Sequence, residues 1–340
     1  SGCARPGSGW RDGGRPPKLR GMRKKPRLGI SSCLLGNNVR YDSGHKKDDF
    51  LVETLGDFVE WVPVCPEVEV GMGIPREPIR LVGDPAAPRL VADRSGKDHT
   101  EAMRTWAEAR LEKLAALDLV GWVTKKDSPS CGLARVRVWS GKKDAPPRRE
   151  GVGAFVAVLK EGMPLLPIEE EGRLHDPWLR ESFVERIFAY HRFKEAREAG
   201  MDRGALVAFH TRHKLALLSH SPDAYRKLGR LVAGLQKGQK LDPVLDAYGE
   251  GFLAGLAVRA SRGKHVNVLQ HMAGYFKDVL PPAERKELEG VVADYGRGLV
   301  PLVVPQTLLR HHVRKHGVAY LADQTYLDPD PKELMIRNHV

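Results

Sequence analysis

The hydrophobic pattern of this chain changes its period once, near residue 175, and that change constrains the fold more than any other feature. Before it, short apolar runs of the kind found in buried strands alternate with stretches of helical spacing. Leu28-Gly29-Ile30-Ser31-Ser32 reads as a strand that ends at Cys33, and Glu60–Val64 as one that ends at Cys65. Leu119–Thr124 reads as a third strand, followed by a loop to Cys131. Val136–Val138 is short and β-like, and Pro164–Ile168 reads as a further strand. Helices are expected over 47–58, 98–117 and 153–160, with Met103, Trp106, Ala107, Leu111 and Leu114 at helical spacing in the second. The Gly/Lys/Pro-rich stretch 140–151 reads as a loop. Strands that alternate with helices pair in parallel, so the expected fold class is α/β, a Rossmann-like doubly wound parallel sheet.

After the change only helical patterns remain, at 176–199, 203–219, 221–236, 241–260, 264–279, 282–297 and 305–318. Breaks fall at Gly200, Ser221-Pro222, Asp242-Pro243, Pro281-Pro282 and Pro301/Pro305. Ser followed by Pro and Asp at 221–223 is a good helix start. The expected organisation is a basic leader over 1–27 without periodicity, read as disordered; an α/β domain over 28–175; and an all-α domain over 176–340. Ser1-Gly2 reads as a tag remnant and Met22 as a natural start, with Cys3 in the leader assigned no role.

Composition excludes several classes. At 340 residues the chain is too long for one ordinary core. No apolar run approaches eighteen residues, so no transmembrane helix is expected, and the basic start lacks the apolar stretch of a signal peptide. Four widely spaced cysteines exclude a disulfide scaffold. A cytoplasmic location in a reducing compartment follows as the expectation. The net charge of +12 is unevenly placed: +8 in residues 1–29, −3 in 30–181 and +7 in 182–340, where ten of the thirteen histidines also lie.

Cys33, Cys65 and Cys131 each follow a strand-like run, and loops after the C-terminal ends of parallel strands converge on one crevice. Placement leaves two readings open. Free cysteines are among the most buried residues, so the three can be structural. As thiolates they suit soft metals, zinc or iron–sulfur clusters. No His/acid partner for a lone nucleophilic cysteine stands out, and the C-x-x-C spacing of zinc sites is missing.

The surrounding motifs are long and specific. Residues 28–168 resemble the thiouracil desulfurase (TudS-like) family through SSCLLG-x-x-VRYD-x-G-x-x-K (Ser31 to Lys46), VCPEVEVGMGIPREPIRLV (Val64 to Val82) and KKDSPSCG (Lys125 to Gly132). Residues from about 200 to 336 resemble the YbgA-type helical domain. The motifs that carry this are FHTRHKLALLSHSPDAYRKLG (Phe209 to Gly229), KHVNVLQHMAGYFK (Lys264 to Lys277) and QTYLDPDPKEL (Gln324 to Leu334). The fused arrangement resembles RudS-like bacterial proteins that remove sulfur from 4-thiouridine in tRNA. The resemblance implies a 4Fe-4S cluster on Cys33, Cys65 and Cys131, with one iron left open for the sulfur of the base. It also implies hydrolysis, for which a general base is needed. Glu67 is the first candidate, with Glu69 and Asp42 in reserve. Asp42 can equally stabilise a turn, and Lys46 is either a substrate contact or a surface lysine. Ser128, preferred over Ser130, is either a base or sulfur-facing donor or a residue that orders the loop around Pro129. Arg76 and Arg80 read as structural or phosphate-facing.

Three basic clusters mark the helical part: His210, Arg212, His213 and Lys214 followed by Arg226; Lys264, His265 and Lys277; and the run from Arg310 to His316. Each is either a solvated helix face or a set of phosphate contacts, and His210/His213 also admit a metal pair. In a +7 domain the phosphate reading points to thiolated tRNA as partner, with no DNA or membrane, and the base flipped out to react. Two rivals stand beside it: a desulfurase for free thiouracil, and a non-enzymatic RNA-binding protein with structural cysteines.

Overall fold

A computed structural model describes residues 24–141 and 145–339 of the chain. Most of the leader, with Cys3 and Met22, and Lys142 and Lys143 of the 140–151 loop lie outside the described residues. In chain order the strands are β1 (Arg27–Ser31), β2 (Glu60–Val64), β3 (Ile79–Val82), β4 (Arg89–Ala92), β5 (Gly121–Thr124), β6 (Val136–Trp139), β7 (Arg148–Gly151) and β8 (Ile168–Glu170). The helices are α1 (Pro66–Glu69), α2 (Thr100–Ala115), α3 (Ala154–Gly162), α4 (Pro177–Glu198), α5 (Arg203–His220), α6 (Pro222–Ala233), α7 (Asp242–Ala257), α8 (Arg262–Ala273), α9 (Pro282–Arg297), α10 (Val303–His316) and α11 (Ala319–Ala322).

The expected parallel sheet is present, in the order β2-β1-β5-β8. Pairing is parallel throughout, with Ser31 opposite Val64 and Ile30 opposite Val123. Both faces are apolar because both are covered, which is why the strands read as continuous hydrophobic runs. Leu28, Ile30, Val120 and Val123 face one core, with Phe183, Val184, Ile187 and Phe188 of α4. Val64 and Trp122 face the other, with Met103, Ala107 and Leu114 of α2 and Phe155, Val156 and Leu159 of α3. Gly29 is required by a close approach: a Cβ there would lie 1.9 Å from the Trp122 ring on the neighbouring strand.

A second four-stranded sheet, β4-β3-β6-β7, was not expected and corrects the reading of a single sheet. Its β3–β4 and β6–β7 pairs are antiparallel, and Leu81, Leu90, Val136 and Val138 close the same core as α2 and α3. β7 occupies the end of the stretch read as a loop. The helix expected over 47–58 is instead a π-helical turn (Phe50–Thr54) followed by a 3-10 turn (Leu55–Asp57). Only Leu51 and Leu55 of these turns are buried, too few to stabilise three helical turns.

All seven helices expected after residue 175 form. Asp176, Asp202, Ser221 and Ser261 cap α4, α5, α6 and α8 by accepting backbone N–H bonds, and Pro177 and Pro222 occupy first turns. The helix α4 belongs to both halves. Its Phe183–Phe188 stretch covers the parallel sheet, while Ala189 and Phe193 enter a core with Phe209, Tyr248 and Phe252 of α5 and α7. Leu334 and Ile336, after α11, return to the sheet core.

Candidate active site

The three cysteines stand at the C-terminal ends of the three adjacent strands β2, β1 and β5. Cys65 directly follows β2 and is the residue before α1. Cys33 lies in a 3-10 turn after β1, and Cys131 in the loop after β5. All three are free thiols.

One carboxylate is common to them. Pro66 starts α1, which puts Glu67 in its first turn and buries the side chain. Its Oε2 lies 3.5 Å from the Cys65 sulfur and 3.9 Å from the Arg76 guanidinium. Arg76 in turn donates to the carbonyl of Val39 at 2.9 Å, and the Cys65 thiol lies 3.7 Å from the same carbonyl. Burial pushes the Cys33 thiol up to about 11, and the Glu67 charge adds to it against Lys125 and Arg40. Burial likewise pushes Cys65 up to about 12, again with Glu67 as the next cause. Cys131 is raised well above the thiol range by burial, then by Glu67, with Cys33 and Cys65 also contributing and a hydrogen bond with Ser31 opposing. The three thiols therefore share one electrostatic environment. They are held neutral by burial, and a metal must displace their protons to bind.

The Cys131 loop is locked on every side. Ser128 Oγ accepts the N–H groups of Ser130 and Cys131 at 3.3 and 3.1 Å. The first turn of α3 donates to Pro129 and Ser130 carbonyls from Ala154 and Phe155. Gly153 lets α3 come this close: a Cβ there would lie 2.5 Å from the Ser130 backbone and 2.7 Å from the Cys131 nitrogen. At the end of β8, Glu171 accepts the Lys126 N–H at 2.7 Å and pairs with Lys125 at 2.5 Å, while Glu170 accepts the Leu133 N–H at 2.9 Å. The Ser130 hydroxyl, wholly buried, has no hydrogen-bond partner among the described residues.

The structure thus separates the expected site residues. Glu67 joins the three cysteines. Ser128 orders the loop through its acceptor oxygen. Asp42 is exposed, bonded to the Gly44 N–H at 3.1 Å and to Arg40 at 3.3 Å, as a turn residue would be. The Lys46 side chain is exposed, while its N–H donates to the Cys33 carbonyl at 2.9 Å. Glu69 reaches back to the Cys65 N–H and pairs with Arg110, so it holds α1. Arg80, in β3, pairs with Asp93 at 3.3 Å. The sequence reading missed Glu170 and Glu171, and it gave Arg76 no place beside the base. The run Glu169-Glu170-Glu171-Gly172 at a strand end was the available signal.

The helical half corrects three expected RNA contacts. His210, His213 and His265 are buried and belong to the core. His213 Nδ1–H donates to the Phe209 carbonyl at 2.8 Å, so its Nε2 lone pair receives Arg192 at 3.2 Å and the ring is neutral. Burial holds His213 well below the histidine range and lowers His210 and His265 to about 4. The latter two bond the hydroxyls of Tyr248 and Tyr326. Lys264 donates to the His220 and Arg259 carbonyls, and Arg310 pairs with Asp328 at 2.7 Å. Arg212, Arg226 and Lys277 are exposed, Arg226 beside Asp223, and Lys214 lies half-buried over the Tyr320 ring.

A buried ionic network ties α4 to the C-terminal segment. Arg337 pairs with Glu181 at 2.9 Å and Glu185 at 3.1 Å, and His339 and His220 reach the same two carboxylates. Burial opposes ionisation of Glu185, but Arg337 and then His220 outweigh it and hold the carboxyl well below the usual range.

Comparison with known proteins follows the same division. Residues 28–171 match the 2-thiouracil desulfurase family and residues 214–331 match DUF1722, a family of unknown function. The chain belongs to both, a thiouracil desulfurase domain joined to a YbgA-like helical domain. It is 35% identical to the uncharacterized protein YbgA of Escherichia coli strain K12 over 158 residues, 46% of this chain and 94% of that protein. It is 31% identical to the uncharacterized protein YbbK of Bacillus subtilis strain 168 over 139 residues, 39% of this chain and 88% of that protein. Among solved structures it is similar to the [4Fe-4S]-dependent thiouracil desulfidase TudS, with 28% identity, a TM-score of 0.37, and coverage of 45% of this chain and 95% of that one. No helix among the described residues is long and apolar enough to cross a membrane.

Proposed function

We propose that the protein is an iron–sulfur-dependent desulfidase that converts 4-thiouridine in tRNA to uridine, water replacing sulfide at the base carbon. The observation that carries this reading is a set of three free thiols at three adjacent strand ends, with the Glu67 carboxylate 3.5 Å from one of them and its charge felt by the other two. A donor set of thiols alone suits a soft metal centre, and the unpartnered Ser130 hydroxyl beside Cys131 offers a donor to a bound sulfur. Cys33, Cys65 and Cys131 would hold the [4Fe-4S] group, whose chemistry is that of a soft Lewis acid toward the thiocarbonyl sulfur.

The chain's own residues supply the rest. Glu67 accepts the proton of the attacking water, with Arg76 fixing its carboxylate from behind. Lys125, anchored by Glu171, places a cation on the Cys33 side of the crevice. Support for tRNA as carrier comes from the contrast between the −3 desulfurase half and the +7 helical half. In this reading exposed Arg212, Arg226 and Lys277 would contact phosphate, Arg226 and Lys277 exchanging their pairs with Asp223 and Asp278 for it.

The test is anaerobic incubation of the reconstituted protein with 4-thiouridine-containing tRNA and, separately, with free thiouracil. Loss of 4-thiouridine with release of sulfide is expected. Thiolated tRNA that survives intact while the free base is consumed would overturn the carrier. No turnover of either would overturn the activity.

A further inference from the structure

We propose that Glu284, His312 and His316 form a binding site for one divalent cation of the zinc class, independent of the strand-end cysteines. His312 and His316 lie one turn apart on α10, and Glu284 is in the first turn of α9. One ligand atom from each falls within 4.8 Å of the other two, and no other trio of His, Cys, Asp and Glu among the described residues shares this spacing. His312 is 4% exposed, and its Nδ1 stands 3.8 Å from Glu284 Oε2. Nδ1 of His312 and Nε2 of His316 are both buried and lack any hydrogen-bond partner among the described residues. Two orphaned imidazole nitrogens beside a carboxylate are a cost to the fold that a metal would remove.

The donor chemistry selects the cation. Two imidazoles and one carboxylate are too nitrogen-rich for Ca²⁺ or Mg²⁺ and too hard for a thiolate-seeking ion, which leaves divalent ions such as Zn²⁺, Co²⁺ and Ni²⁺. Three protein ligands leave a fourth position for water. Lys315, half-exposed, now pairs with both Glu284 oxygens, at 2.9 and 3.0 Å. Metal entry exchanges this ammonium for the cation and returns Lys315 to solvent.

Co²⁺ titration of the full-length chain reads the ligands directly, because nitrogen and oxygen ligation gives ligand-field bands alone while thiolates add intense charge transfer. One equivalent free of the thiolate signal is expected. Glu284→Gln and His316→Ala, at positions outside the core, should each weaken that component at least about tenfold. Lys315→Met should tighten it about two- to fivefold by removing the competing ion pair. Co²⁺ bound solely with the thiolate signal, or a nitrogen/oxygen component of unchanged affinity in both ligand variants, overturns the site.

Discussion

Glu67 and Cys65, two positions apart, face each other across 3.5 Å because Pro66 turns the chain from strand into helix between them. A carboxylate this close to a thiol opposes the loss of its proton, and it does so for Cys33 and Cys131 as well. In the metal-free protein Glu67→Gln should therefore lower the pH at which all three thiols become alkylated. Profiles of alkylation rate against pH check this, and superimposable profiles would remove Glu67 from the thiol environment. In the loaded enzyme the same change should cut kcat by about a hundredfold, the usual worth of a general base.

Gly153→Ala should disable the site without unfolding the domain. The added methyl would collide with the Ser130 and Cys131 backbone, which is itself bonded to α3, so the loop must shift. A stability loss of about 1–3 kcal/mol in denaturant unfolding is expected, together with impaired iron incorporation. Normal iron content in the variant would contradict the steric argument.

Arg337→Met should be severely destabilising, by about 3–5 kcal/mol, because it strands two buried carboxylates. Adding Glu181→Gln and Glu185→Gln to that variant should recover part of the loss. Thermal or denaturant unfolding of the single and triple variants decides it, and equal stability would show that the charges are not the cause.

The core histidines set an acid limit. His210 and His265 have folded-state values near 4, against an ordinary value of 6.5. As pH falls below about 6.5 the unfolded chain takes up protons at these rings and the folded chain does not. Stability present above 6.5 is thus lost down to about pH 4, by on the order of 3 kcal/mol per histidine at most. Denaturant unfolding across this range should show the slope, and His210→Gln should reduce it. An unchanged slope would argue that the ring is not buried neutral.

The legible parts of the sequence were those where one physical rule acts alone. Cys33, Cys65 and Cys131 could be brought together on paper because each follows an apolar run and parallel strands share one C-terminal edge. Ser221-Pro222 marked a helix start, and Pro281-Pro282 a helix boundary, in the same way. β3 and β4 were missed because Arg80 interrupts one and Arg89 opens the other, and four residues are too few to show alternation. Glu170 and Glu171 were missed because a run of acids looks solvated until backbone N–H groups are seen pointing at it. His210, His213 and His265 misled for the opposite reason. A histidine beside arginine and lysine looks cationic, yet its burial is decided by Tyr248, Phe252 and Tyr326, which come from distant parts of the chain.

Leu334 and Ile336 share a hydrophobic cluster with Leu28, Ile30 and Cys33. The wall behind Cys33 is therefore completed by residues that lie beyond the entire helical bundle in sequence. Two halves with separate relatives thus share one hydrophobic cluster. A chimera that takes its helical half from another member must re-match these two side chains to the sheet, or the cysteine crevice will be built on an unfinished floor.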